Sequence, residues 1–202
     1  MPNKRDDGLA GTSSRVRQRY GSPGDAGDAV FALLTGLRSG WSATEILTWF
    51  RERIVVTGWM RKYDPRSVTL EISEEGLGTV QVPLLGRLSP SEEATFATMW
   101  HAAAPRVIAV LRQLRDHPDD PRVTSEAIAA GRVKLVPIKG ATESWGAVLR
   151  EGEPFSRWLL TMLAADVLSA ARDYTRLHVC DECDLVWFAS GQDRLCATHR
   201  VR

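Results

Sequence analysis

All three cysteines of the chain fall between positions 180 and 196, and a histidine follows at 199, so the end of the 202-residue sequence carries its most restrictive pattern. Two residues separate Cys180 from Cys183, two more separate Cys196 from His199, and twelve lie between the pairs. Each short pair can turn both of its side chains onto one ion, and the intervening loop lets the pairs meet at tetrahedral angles. A segment of about 25 residues cannot offset its own ordering entropy with apolar anchors as few as Val186, Trp187, Phe188 and Leu195. Metal binding in comparable finger peptides supplies roughly 10 to 16 kcal/mol, which can. The spacing therefore predicts one structural Zn²⁺ held by Cys180, Cys183, Cys196 and His199. Four protein ligands leave no open position for water, so the ion should stabilise and not hydrolyse. His178, two residues before Cys180, is the alternative to His199 as fourth ligand.

An odd number of cysteines confined to one short segment does not make a disulfide framework. The Cys-x-x-Cys pair also lacks the βαβ setting of a redox motif. The chain as a whole has globular composition, with 44% hydrophobic and 25% charged residues. Its 26 basic and 25 acidic side chains give a net charge of +1, so there is no long-range field to gather polyanions or membranes, and any nucleic-acid contact has to be local. The first residues, Met-Pro-Asn-Lys-Arg-Asp-Asp-Gly, lack the apolar core of a signal peptide, and the longest apolar stretch, Trp158 to Leu168, is interrupted by Thr161 and Asp166. The expectation is a soluble, cytoplasmic protein with no membrane partner.

Residues 1–27 are rich in Gly, Ser, Pro, Asp and Arg and read as a disordered arm. Within it Arg15, Arg17 and Arg19 alternate beside Tyr20. They are either phosphate contacts or part of a solubilising tail diluted by Asp6, Asp7 and Asp25. Residues 28–175 read as an α+β domain, mainly helical with short antiparallel hairpins. Val30, Phe31, Leu33, Leu34 and Leu37 predict a helix from Asp28 to Gly40, and Ser42 with Glu45 forms a capping box for a second one. Ile54 to Thr57, then Val68, Leu70 and Ile72, then Val80, Val82 and Leu84, predict a three-stranded meander.

Ser89-Pro90-Ser91-Glu92 opens a helix that should bend or break at Pro105 and run on to His117. A short helix is expected around Glu126 to Ala130, and a second hairpin joins Val133, Leu135 and Ile138 to Trp145 and Val148. A final helix begins near Pro154 with Phe155, Trp158, Leu159, Met162, Leu163 and Val167 on one stripe. Core packing is the default for the seven tryptophans. Residues 176–202 form the finger.

The finger's Cys180, Cys183, Trp187-Phe188, Ser190, Arg194, Cys196, His199 and Arg200 resemble the C-terminal finger of CGNR-type zinc-finger proteins. The likeness covers residues 176–202. It departs from the family at its signature Cys-Gly-Asn-Arg, where His199 stands in place of the last cysteine and is followed by Arg200-Val201-Arg202. The family is regarded as transcriptional regulators, so the resemblance implies DNA binding, with Arg194, Arg200 and Arg202 as phosphate contacts and the arm as an aid. The alternative is a non-catalytic interaction module with a zinc-stabilised C-terminal cap, binding a protein partner or a second copy of itself. No enzyme is expected, because His101, His117, His178 and His199 are isolated in sequence and no nucleophile–base spacing stands out.

Overall fold

The computed structural model describes residues 23–55, 69–83, 86–136, 144–150, 152–191 and 193–200. The first helix, α1 (Pro23–Arg38), starts five residues before the expected Asp28 and buries Ala26 and Ala29 ahead of Val30, Leu33, Leu34 and Leu37. It stops in a Schellman motif: the Gly40 amide donates to Leu37 O at 3.1 Å and the Trp41 amide to Gly36 O at 2.9 Å, with Gly40 at φ +79°. That turn lays the Trp41 ring on Gly36.

Helix α2 (Ala43–Phe50) is capped as predicted, Ser42 N donating to Glu45 Oε2 at 2.7 Å and Glu45 N to Ser42 Oγ at 3.3 Å. The β-branched run beginning at Ile54 does not open a strand. Arg51–Val55 continues α2 as a π-helical turn, because Ile54 is fully buried among the helices and packing overrides its strand preference. Val56 and Thr57 lie outside the described residues, as do Val68 and Leu84. The described part of the meander is therefore one hairpin, β1 (Thr69–Glu74) with β2 (Gly78–Pro83), antiparallel with Ile72 opposite Val80.

Helix α3 (Pro90–Asp116) is unbroken across Pro105. A proline leaves the carbonyl four residues earlier without its amide partner. Here that residue, His101, and Pro105 itself face solvent, so water can take up the orphaned acceptor. After α4 (Arg122–Ala129), β3 (Val133–Val136) pairs antiparallel with β4 (Ser144–Ala147). The turn between them lies outside the described residues.

Helix α5 (Phe155–Leu168) is the centre of the molecule, packed against α1, α3, α4 and both hairpins. Its aromatic residues build the core: Phe155 stacks on Trp100 at 3.7 Å between ring centroids, and Trp158 stacks on Phe50 at 6.2 Å. Trp49, Trp100 and Trp158 are buried as expected of core tryptophans. Proline at the N-cap of α5 offers no side-chain acceptor. Glu74, buried at the end of β1, supplies it from outside, accepting from Ser156 N at 2.8 Å and Ser156 Oγ at 3.0 Å while Arg106 pairs with it at 3.2 Å.

A one-turn 3₁₀ helix (Tyr174–Arg176) leads into a third hairpin, β5 (Leu177–Val179) with β6 (Val186–Phe188), which no sequence pattern announced. The described chain is thus α+β, mainly helical, with three two-stranded sheets. No helix among the described residues is long and apolar enough to cross a membrane.

Candidate metal centre

β5 leads directly into the first candidate ligand, Cys180. Leu177, His178 and Val179 are all buried, and the next residue, Cys180, donates its amide to Leu185 O at 2.8 Å. The chain then doubles back: the Asp184 amide donates to Cys180 O at 3.0 Å, with Asp184 in the left-handed region at φ 59°, which aspartate tolerates better than most residues. This tight turn puts Cys183 beside Cys180. A second turn closes the other pair, with the His199 amide donating to Cys196 O at 2.9 Å and the Arg200 amide to the same oxygen at 3.1 Å. The two turns are stitched together by Asp181 N to Arg194 O at 3.1 Å and by Cys196 N to Cys180 Sγ at 3.5 Å.

The four predicted ligand atoms all lie within 4.8 Å of one another. Cys183 Sγ is 3.7 Å from Cys196 Sγ, and His199 Nδ1 is 3.4 Å from Cys180 Sγ and 3.3 Å from Cys196 Sγ. A tetrahedron with metal–sulfur bonds of about 2.3 Å and metal–nitrogen bonds of about 2.0 Å has sulfur–sulfur edges of about 3.8 Å and sulfur–nitrogen edges of about 3.5 Å. These three edges have those dimensions, and the other three are no longer than 4.8 Å. All three cysteines are free thiols, so no disulfide competes for the sulfurs. Burial pushes the Cys180 thiol up, but amide donors from Cys196, Glu182 and Cys183 and the His199 ring outweigh it and hold the thiol down at about 6. The same sulfurs, Cys180 first and then Cys196, push the His199 ring up. Four donor atoms converging on one point could hold a single cation.

His178 is not part of the cluster. Its Nδ1 lies 2.7 Å from Asp193 O and its Nε2 3.1 Å from Ala189 O, and the ring stacks on Trp187, its partner across the β5–β6 ladder, at 5.0 Å. With both nitrogens engaged by carbonyls it pins the loop before Cys196, and His199 is the fourth member of the cluster.

The finger is seated on the helices by arginines that sequence reading passed over. Arg38, at the end of α1, donates Nε to Cys183 O at 3.2 Å and Nη2 to Cys183 Sγ at 3.3 Å. Arg112 on α3 pairs with Asp184 at 2.7 Å and donates to Asp181 O at 3.3 Å. Arg115, one turn further, pairs with Asp181 at 2.6 Å. On the opposite side, Phe188 meets Phe31 of α1 and Tyr174 edge-on at 5.4 and 5.8 Å. Arg172 lies over Phe31 and Phe188 and reaches Asp28 at 2.7 Å and the buried Asp166 at 3.0 Å.

Of the candidate phosphate contacts, Arg194 pairs with Asp116 at 3.1 Å and approaches Asp181 at 3.9 Å. Arg200 pairs with Asp193 and donates to Leu195 O at 3.0 Å. Arg15, Arg17, Arg19 and Arg202 lie outside the described residues. A cleft of about 410 Å³ opens between the end of α3 and the finger, and its charged walls, Arg115, Arg194 and Asp116 among them, pair with one another.

No family model matches the chain, and neither a curated protein nor a solved structure matches it. No match thus supports the CGNR type specifically, and what the structure bears out is a Cys₃His cluster within metal-binding distance, consistent with a zinc finger.

Proposed function

We propose that Cys180, Cys183, Cys196 and His199 hold one structural Zn²⁺, and that the chain is a non-catalytic binding protein whose C-terminal finger is a clasp closed by that ion. The observation that carries this reading is the Cys₃His set, whose four ligand atoms all lie within 4.8 Å of one another. Soft thiolates with imidazole select zinc over hard oxygen-seeking cations, and four protein donors leave no place for substrate or water. Metal analysis of the purified chain tests it: one zinc per chain supports the reading, and a metal-free chain with an ordered finger opposes it.

The finer reading taken from the CGNR likeness is a DNA-binding transcriptional regulator. It is supported by the finger's Trp187-Phe188, Ser190 and Arg194 pattern and by the exposed Arg176. Against it, Arg194 and Arg200 already have carboxylate partners, and three thiolates with one Zn²⁺ add a charge of about −1. Phosphate neutralisation has a specific signature, a steep loss of affinity between low and moderate salt. Mixed DNA fragments that bind with this salt dependence favour the regulator. No binding at low salt leaves the zinc-clasped interaction module, with a protein or a second copy as partner.

A further inference from the structure

We infer that Arg38 belongs to the metal centre as its outer-shell positioning residue, although it stands 145 residues from the ligand it touches. The inference rests on the structural-zinc reading above. Arg38 presents one edge of its guanidinium, Nε and Nη2, to the carbonyl and the sulfur of the same residue, Cys183, at 3.2 and 3.3 Å. Arginine's planar fork fits two acceptors at once in a way that a lysine ammonium does not.

The place of this contact explains its purpose. Cys180 and Cys196 are buried, and Cys180 Sγ is met by the Cys196 amide, whereas Cys183 is only half-buried. The most accessible of the three thiolates thus receives the one charged donor that touches a ligand sulfur among the described residues. A Zn²⁺ with three thiolates and a neutral imidazole carries about −1, and a guanidinium against the sulfur cancels that charge where solvent would otherwise have to. Hydrogen bonds to ligating atoms fix their orientation and tune the metal, and removing such a partner typically weakens metal binding by about 10- to 100-fold. Because Arg38 stands in the last turn of α1, the metal centre and the first helix of the core are tied through one side chain.

The test uses the full zinc-loaded chain, with Zn²⁺ affinity read by competition against a chromogenic chelator. Arg38→Ala should weaken binding by about 10- to 100-fold, and Arg38→Lys, which keeps the charge and loses the fork, should fall between it and the parent. Arg112→Ala is the control. It removes a contact to the same turn without touching a ligand atom and should keep the parental affinity. Loading with Co²⁺ adds a signature that a merely structural role would not move. Loss of the donor to Cys183 should shift the thiolate-to-metal charge-transfer band of Arg38→Ala to longer wavelength, with no shift in Arg112→Ala. Parental affinity in Arg38→Ala, or a loss matched by Arg112→Ala without a band shift, would overturn the assignment while leaving the zinc site in place. A parent chain that takes up no zinc overturns the structural-zinc reading, and this assignment with it.

Discussion

Nη1 of Arg115 donates to the Val179 carbonyl and to the Asp181 carboxylate, both at 2.6 Å, so one nitrogen of α3 grips the chain on either side of Cys180. The Arg115 side chain is only 9% exposed. Its loss should therefore leave the Val179 carbonyl without its charged donor in a partly buried place. Arg115→Ala should cost about 1 to 3 kcal/mol in urea unfolding of the zinc-loaded chain. A variant as stable as the parent would show that the grip is incidental.

Gly36 is buried under Trp41, and a methyl group there would sit 2.0 to 2.3 Å from the indole ring. Alanine is the better helix former by about 1 kcal/mol, but overpacking a closed contact costs about 1 to 3 kcal/mol. Gly36→Ala should therefore lower the melting temperature. A rise would mean that Trp41 swings away freely and that the Schellman stop does not depend on this contact.

Asp116 is held below the usual aspartate range by the Arg115 guanidinium, against burial, with Arg194 helping from the finger. A carboxylate with a lowered folded-state value adds stability that is present above its unfolded value of about 3.9 and is lost as pH falls through the folded value. The stability gap between the parent and Asp116→Asn should thus be constant near neutrality and close below about pH 4. Arg115 shares α3 with Asp116, so the effect should persist in metal-stripped protein. A gap that does not narrow in acid would contradict the pairing.

What could be read in the sequence was what depends on near neighbours. The Ser42–Glu45 and Ser89–Glu92 boxes are local hydrogen-bond exchanges, and both are present. The Cys₃His cluster was legible for the same reason, since paired spacings of two residues bring each pair together within a single turn. Ile54 misled because a β-branched run reports a preference, and burial in the helical core outweighed it. Of the bend or break expected at Pro105 no break occurs, because its cost depends on whether the freed carbonyl reaches water, a property of the fold. The β5 and β6 strands are three residues each, too short for alternation to register. Arg38, Arg112 and Arg115 carry no local signal, because their finger partners lie 145, 72 and 66 residues away.

Removal of a ligand should separate the finger from the core on which it rests. In Cys183→Ser the remaining three donors lose the closed shell, and with it the roughly 10 to 16 kcal/mol that orders such segments. The aromatic core around Phe50, Trp100, Phe155 and Trp158 makes no use of the metal and should persist. Limited proteolysis should then cut the variant between residues 176 and 200 and spare α3 and α5.

The most direct measurement is the zinc content of the chain purified without added metal, taken together with the order of residues 176–200 before and after chelation. One zinc per chain, and a finger that melts when the chelator removes it, is the predicted result. A metal-free chain whose finger is equally ordered and protease-resistant would contradict the account.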